Sequence, residues 1–239
     1  MLIEHRAYTL KPGNLDAFLQ AQVTRGFDLV KPIMERLIGY FITHGGPDTQ
    51  VVHLYNFDSY EDWTRRLHGL YGVKGLEPYF GTVRPLMIAQ ENKFLAPAPI
   101  TALTPRWGNG NSWLPAHGPI LGRLGKPATT IIEESTLILC PGALPLYWQA
   151  YREHGLAAGG LATDSLVACF YTLVGRQHQV VHYRAYQDYA ALRAHRDAAA
   201  ANASWRAMQR AVAPFVAQAD TKIMEPAPIA AMSPLFSPS

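Results

Sequence analysis

The residues best suited to chemistry are three near the start, Glu4, Arg6 and Tyr8, and a histidine that appears twice in the same context. The sequence reads Gln50-Val51-Val52-His53 and again Gln179-Val180-Val181-His182. On a strand, alternate side chains share a face, so Glu4, Arg6 and Tyr8 would stand together. Glu and Arg on one face either form a structural ion pair or hold a polar or anionic ligand, with Tyr8 donating a hydrogen bond to it. An arginine fork suits an anionic or enolate oxygen. Imidazole titrates nearest to working pH, which makes His53 and His182 candidate acids or bases, against the alternative of buried histidines satisfied by neighbours. Tyr55 shares the face of His53, and Arg184 shares that of His182.

The elements that must position these residues emerge when the chain is laid along itself at the 129-residue offset between the two histidine segments. Leu10-Lys11-Pro12-Gly13 then falls on Leu139-Cys140-Pro141-Gly142, Phe41 on Phe170, and Pro97-Ala98-Pro99-Ile100 on Pro226-Ala227-Pro228-Ile229. One ungapped offset over so long a span signals an internal duplication. The chain is expected to hold a first unit over 1–96, a Gly/Pro-rich linker or lid over 97–129, a second unit over 130–229, and a tail over 230–239. We call the units copy one and copy two.

Within each copy the patterning reads βαββαβ. Residues 2–10 form a strand stopped by Pro12-Gly13, and Leu15, Phe18, Leu19 and Phe27 fall on one helical face. Runs 37–44 and 50–57 are strand-like and separated by Gly45-Gly46-Pro47-Asp48, as a hairpin would be. Asp58 and Glu61 resemble a variant capping box before a helix carrying Tyr60, Trp63 and Leu67. Last strands are expected over 85–94 and 219–225. Such a ferredoxin-like unit leaves one sheet face bare, and two units can cover each other sheet to sheet around a central lumen. Burying unpaired charge against helices is costly, so Glu4, Arg6, Tyr8, His53 and His182 are assigned to that lumen, and Val52 and Leu54 to the helix side.

Composition excludes several classes. A net charge of +3 without clustered Lys or Arg disfavours nucleic acid, and no apolar run is long enough for a secretory signal or a membrane span. A cytoplasmic protein is expected. Cys140 and Cys169 match no CxxC spacing and read as two buried thiols. His178 and His182 would lie about 13 Å apart on a strand, too far to share a metal. Zinc-protease, P-loop and dinucleotide motifs are missing, and no Ser or Cys nucleophile stands in a recognisable setting.

The stretches EHRAYTLKPGNLDAF, GYFITHGGPDTQVVHLYNFDSYED and QENKF resemble the NIPSNAP family, with a more worn version in copy two. That resemblance implies a dimeric α/β barrel, here with both halves in one chain, within a superfamily of cofactor-free monooxygenases, isomerases and haem enzymes. Copy two keeps Glu133 where copy one has Glu4, but Ser135 and Leu137 replace Arg6 and Tyr8.

The expectation is therefore a protein that binds or transforms a small, aromatic or anionic molecule in the lumen without a cofactor. His53, Tyr8 and Glu4 would be catalytic, and Arg6, Tyr55, His182, Arg184 and Glu133 would bind the ligand. Copy one would supply the active end. The rivals are a non-catalytic metabolite-binding or protein-interaction module, and a haem enzyme using a lumen histidine as iron ligand. Self-association would use helices or sheet edges.

Overall fold

The computed structural model describes residues 1–45, 49–104 and 130–234. Copy one contributes strands β1 (Leu2–Leu10), β2 (Leu37–Gly45), β3 (Gln50–Phe57) and β4 (Met87–Pro97), with helices α1 (Leu15–Arg25), α2 (Lys31–Met34), α3 (Tyr60–Tyr71) and α4 (Glu77–Val83). Copy two supplies β5 (Ile131–Leu139), β6 (Leu166–Val174), β7 (Gln179–Tyr186) and β8 (Val216–Pro226). Its helices are α5 (Leu144–Ala150), α6 (Gly160–Thr163), α7 (Tyr189–Ala201) and α8 (Ala203–Val212). The duplication shows in the backbone as well as in the letters. Gly13 and Gly142, 129 residues apart, both adopt positive φ (80° and 84°), as do Thr49 and His178 (53° and 61°). The same turns, at left-handed conformations that most residues avoid, are thus built twice.

The strands close into one antiparallel barrel in the order β1-β3-β2-β8-β5-β7-β6-β4. Each copy's last strand completes the other copy's sheet: β8 pairs with β2 through Phe41↔Pro226, and β4 pairs with β6 through Pro97↔Phe170. The helices cover the outside. Consequently both faces of β3 and of β7 are buried over all eight residues, whereas β4 and β8 are exposed over 88–92 and 217–221.

The two faces pack against different partners. Ile3, Phe41, Val52, Leu54 and Leu95 join Ile132, Phe170, Val181, Tyr183 and Met224 in one cluster, which fills the lumen from both copies. Leu2, Tyr40, Val51, Tyr55 and Phe57 pack instead with Phe18, Ala21, Val30 and Val83 of the helical layer. The expected facing is therefore inverted. Glu4, Arg6, Tyr8, His53 and His182 lie between sheet and helices, whereas Val52 and Leu54 point into the lumen. The space left among the apolar lumen side chains is about 10 Å³, at most the room for a single water, so this part of the lumen is a packed core and not a ligand chamber.

The lumen also holds charge of its own. His5 Nε2 lies 3.0 Å from Glu134 Oε2, and these residues occupy equivalent positions 129 apart in the two copies. Tyr183 donates to the same carboxylate oxygen at 2.5 Å, and Lys222 Nζ is 3.5 Å from the other. Burial opposes the Glu134 charge, but His5, Lys222 and Lys93 overcome it and hold the carboxyl well below the usual range.

Smaller expectations need correcting too. The N-cap of α3 is Ser59, whose hydroxyl accepts from the Asp62 N–H, and not Asp58, and Asp188 caps α7 in the same way. Cys169 is buried but Cys140 is exposed. Most of the segment read as linker or lid, 105–129, lies outside the described residues, as do 46–48 and the tail beyond 234. Within the described part of the tail, Met232 is fully buried among copy-one side chains and Ser233 donates to the Tyr40 carbonyl at 3.5 Å, strapping this stretch to copy one. Among the described residues no helix is long and apolar enough to cross a membrane.

Candidate functional site

Two cavities open between the sheet and the helices, one per copy, at equivalent places. In copy one, β1 and β3 present Arg6, Tyr8, His53 and Tyr55 to a pocket of about 100 Å³, closed over by Leu70 and Tyr71 of α3 and by Tyr79 and Phe80 of α4. Glu4 sits beneath it, fully buried. Its carboxylate pairs with Arg6 Nη2 at 2.7 Å and accepts from Trp63 Nε1 at 2.8 Å and Asn92 Nδ2 at 2.7 Å. Glu4 therefore braces Arg6 and makes no hydrogen bond to His53. The guanidinium lies 4.7 Å over the Tyr55 ring, and Tyr55 in turn shares a hydrogen bond of 3.0 Å with the Tyr40 hydroxyl.

His53 stacks on Tyr40 at 3.6 Å between centroids and meets Tyr8 edge-on at 4.4 Å. Both of its ring nitrogens are buried with no hydrogen-bond partner. Burial, then the charges of Arg6, His5 and Arg25, push its pKa well below the ordinary histidine value, so it is neutral at pH 7. Burial likewise raises the Tyr8 phenol.

In copy two the equivalent cavity measures about 750 Å³. The enlargement follows from helix residues that sequence reasoning did not single out. Ala199, Ala200 and Ala213 stand where copy one has Leu70, Tyr71 and Arg84, all lining their respective cavities. Comparing the copies at the 129-residue offset would have exposed that signal. The walls are mainly apolar and aromatic: Leu137, Tyr147, Tyr151, Trp205, Met208 and Val212. Tyr151 opens a π-helical turn, Tyr151–Gly155, directly after α5. Such turns are frequent at functional sites.

The polar groups of this cavity converge on β5 and β7. His182 Nε2 is 3.1 Å from the Tyr147 hydroxyl, and its ring stacks parallel to Tyr151 at 5.9 Å. Burial and then Arg184 bring its pKa down to about 3. Arg184 takes the strand position of Tyr55, so the cavity keeps an arginine although Arg6 has become Ser135. Its guanidinium donates to Ser165 Oγ at 3.0 Å and to the Ala162 carbonyl at 3.2 Å, and lies 5.7 Å from the Trp205 ring. Glu133 accepts from Arg196 at 2.6 Å and from Ser135 at 3.2 Å near the mouth. Burial pushes the Cys169 thiol far up, which leaves it protonated and inert. The structure thus separates the expected site residues into two groups: Glu4, Arg6, Tyr8, His53 and Tyr55 in one pocket, and Glu133, His182 and Arg184 in the other.

The buried histidines carry a pH signature. His5 is lowered to about 4, chiefly by burial and next by Lys93, and His182 to about 3. Between those values and 6.5 the unfolded chain binds protons that the folded chain does not, so stability rises with pH across that window. Thermal melts from pH 7 down to 4 should show the midpoint falling from about pH 6.5, each such histidine costing about 1.4 kcal/mol per pH unit. A midpoint that stays level or climbs on acidification would refute the assignment of neutral buried imidazoles.

The NIPSNAP family pattern matches twice, at residues 3–102 and 132–231, in register with the two copies. The chain belongs to the NIPSNAP family. Solved NIPSNAP proteins are similar to part of the chain. A NIPSNAP-like domain protein from Burkholderia xenovorans is 35% identical over 41% of this chain and 86% of its own, with a TM-score of 0.39. A NIPSNAP family protein from Agrobacterium tumefaciens is 31% identical over 39% of this chain and 85% of its own, with a TM-score of 0.38. The whole double unit is matched by a monooxygenase-like protein from Lactobacillus acidophilus, 8% identical over 94% of this chain and 93% of its own, with a TM-score of 0.58. At that identity the likeness is one of fold alone. No curated protein matches this NIPSNAP chain.

Proposed function

We propose that this NIPSNAP protein binds a small, largely apolar molecule bearing one acidic oxygen in the copy-two cavity, and acts on it by cofactor-independent proton transfer. The difference in volume between the equivalent cavities, about 750 Å³ against about 100 Å³, carries this reading, because only the larger lies in the range that organic ligands occupy. It moves the working end from copy one to copy two. Arg184 would hold the acidic oxygen, since its fork is already fixed by Ser165 and Ala162 and needs no reorganisation on binding. Tyr151 and Trp205 would flank the ring system. The His182–Tyr147 pair would move the proton, producing an enolate or phenolate beside Arg184, the form that isomerises or reacts with oxygen. Glu133 would position Arg196 at the mouth.

A binding-only protein is the second reading. It is favoured by the low pKa of His182, which makes the imidazole a weak base until an anion adjoins it. Because the barrel closes within one chain, self-association would use the helical exterior rather than the lumen.

Native mass spectrometry of protein isolated from its own host tests the reading. One organic molecule larger than a simple oxyanion should accompany each chain, Arg184→Gln should lose it while still unfolding cooperatively, and His182→Gln should retain it, failing only in turnover if the protein is an enzyme. That same organic molecule kept by Arg184→Gln but lost from Arg6→Gln would place the site in copy one. A Soret band would assign the cavity to haem instead.

A further inference from the structure

The small copy-one pocket is not simply a collapsed version of the large one, because its charge is unusual. Three arginines, Arg6, Arg25 and Arg84, line it, and no carboxylate does. Only Arg6 is neutralised, by Glu4 from below. Arg25 and Arg84 form no ion pair among the described residues. Instead Arg25 stacks over Tyr79 at 4.6 Å and Arg84 over Phe80 at 5.0 Å, an arrangement that leaves edge N–H groups free for a planar acceptor. Arg25 does spend one donor on the Gly26 carbonyl, yet its buried Nη2 has no partner. His53, only 2% exposed, adds two further partnerless nitrogens to the same enclosure. A buried polar group left unpaired costs about 1–3 kcal/mol, and here several are gathered around one space.

The three arginine positions are not repeated in copy two, where Ser135, His154 and Ala213 stand at the equivalent places. A shared requirement of the fold therefore does not explain the three guanidinium groups. The enclosed volume, about 100 Å³, exceeds the roughly 10–15 Å³ that one water requires but is too small for a ring system.

We propose that the copy-one pocket is a second and separate ligand site, which takes a compact oxyanion of formate, acetate, bicarbonate or nitrate size between Arg6, Arg25 and His53. Arg25 and Arg84 supply charge from the helical wall, and Arg6, braced by Glu4 and Tyr55, meets the anion from the sheet. The neutral imidazole of His53 donates through one nitrogen, with its tautomer set by the ligand. On this assignment the chain carries two ligands of different class in cavities that began as copies of each other.

The probes are sodium formate, acetate, bicarbonate and nitrate, titrated against sodium chloride at matched ionic strength, because general screening must be subtracted. At least one should raise the melting temperature saturably, as mass action requires of a ligand specific for the folded state, and give a single-site calorimetric isotherm. Arg25→Gln should weaken that affinity at least tenfold (about 1.4 kcal/mol). Arg84→Gln, at an exposed residue on the mouth, should weaken it less and serves as the second variant if Arg25→Gln folds poorly. Ala200→Tyr in the other cavity should leave anion binding unchanged, which separates this test from that of the copy-two site. The proposal is overturned if every probe behaves as chloride does, or if Arg25→Gln and Arg6→Gln bind as tightly as the natural chain.

Discussion

In a chain carrying Ala200→Tyr together with Ala213→Arg, ligand affinity of the copy-two cavity falls about a hundredfold (roughly 2.7 kcal/mol) while the melting temperature holds or rises. These changes restore the residues that copy one uses at the same places, Tyr71 and Arg84, where they already enclose a pocket of about 100 Å³. Ala200 and Ala213 are both exposed at the rim, so the larger side chains have somewhere to go without disturbing the core. Filling an apolar recess tends to add stability, whereas the ligand loses the space it occupied. The measurement pairs the affinity of the co-purified molecule with a thermal melt. Wild-type affinity in the double variant would mean that the ligand lies elsewhere.

A second large effect is expected at the barrel axis. Glu134→Leu should cost about 3–5 kcal/mol in urea unfolding, because it strands His5, Lys222 and the Tyr183 hydroxyl in a packed lumen. His5→Glu should be at least as damaging, since it sets two carboxylates against each other. The exchanged pair, His5→Glu with Glu134→His, should recover part of the loss. Recovery stays incomplete because the relocated carboxylate would stand opposite Leu54, whereas Glu134 stands opposite Tyr183. An exchanged pair no more stable than the worse single variant would show that the two positions do not interact. Equivalent residues that meet across an axis must be identical in a symmetric dimer; fusion of the copies has allowed an acid and a base to occupy them.

The fold was legible because duplication leaves its mark in letters: the offset that aligns the histidine segments also aligns the turns with positive φ at Gly13 and Gly142. Strand and helix periodicities then follow from local chemistry. The facing of the strands was not legible, for a specific reason. The cost of burying unpaired charge points Glu4 and Arg6 to the lumen, but β1 and β3 are covered on their helix side as well, so burial cost cannot distinguish their two faces. What decides is the supply of partners. Glu4 finds Trp63 on a helix and Asn92 on β4, and the lumen satisfies a different set, His5 with Glu134. Both sets are spread over 59 to 129 residues of sequence. The cavity volumes were hidden for another reason: alanines at 199, 200 and 213 read as ordinary helix formers until their bulkier counterparts are seen closing the equivalent pocket.

The cross-pairing of β2 with β8 has a consequence during synthesis. Phe41 emerges from the ribosome 185 residues before its partner Pro226, which at about 5–20 residues per second is an interval of roughly ten to forty seconds. Throughout it, copy one has an unpaired strand edge on β2 and an unclothed apolar sheet face bearing Ile3, Phe41 and Leu54. Exposed edges of this kind recruit other strands. Two nascent chains on one messenger could therefore exchange halves, the first copy of one closing on the second copy of its neighbour, to give a swapped dimer with every native contact intact. The length and composition of the connection between the copies thus bear on translation as well as on the finished protein, because they set how readily a chain finds its own second half before it finds another's.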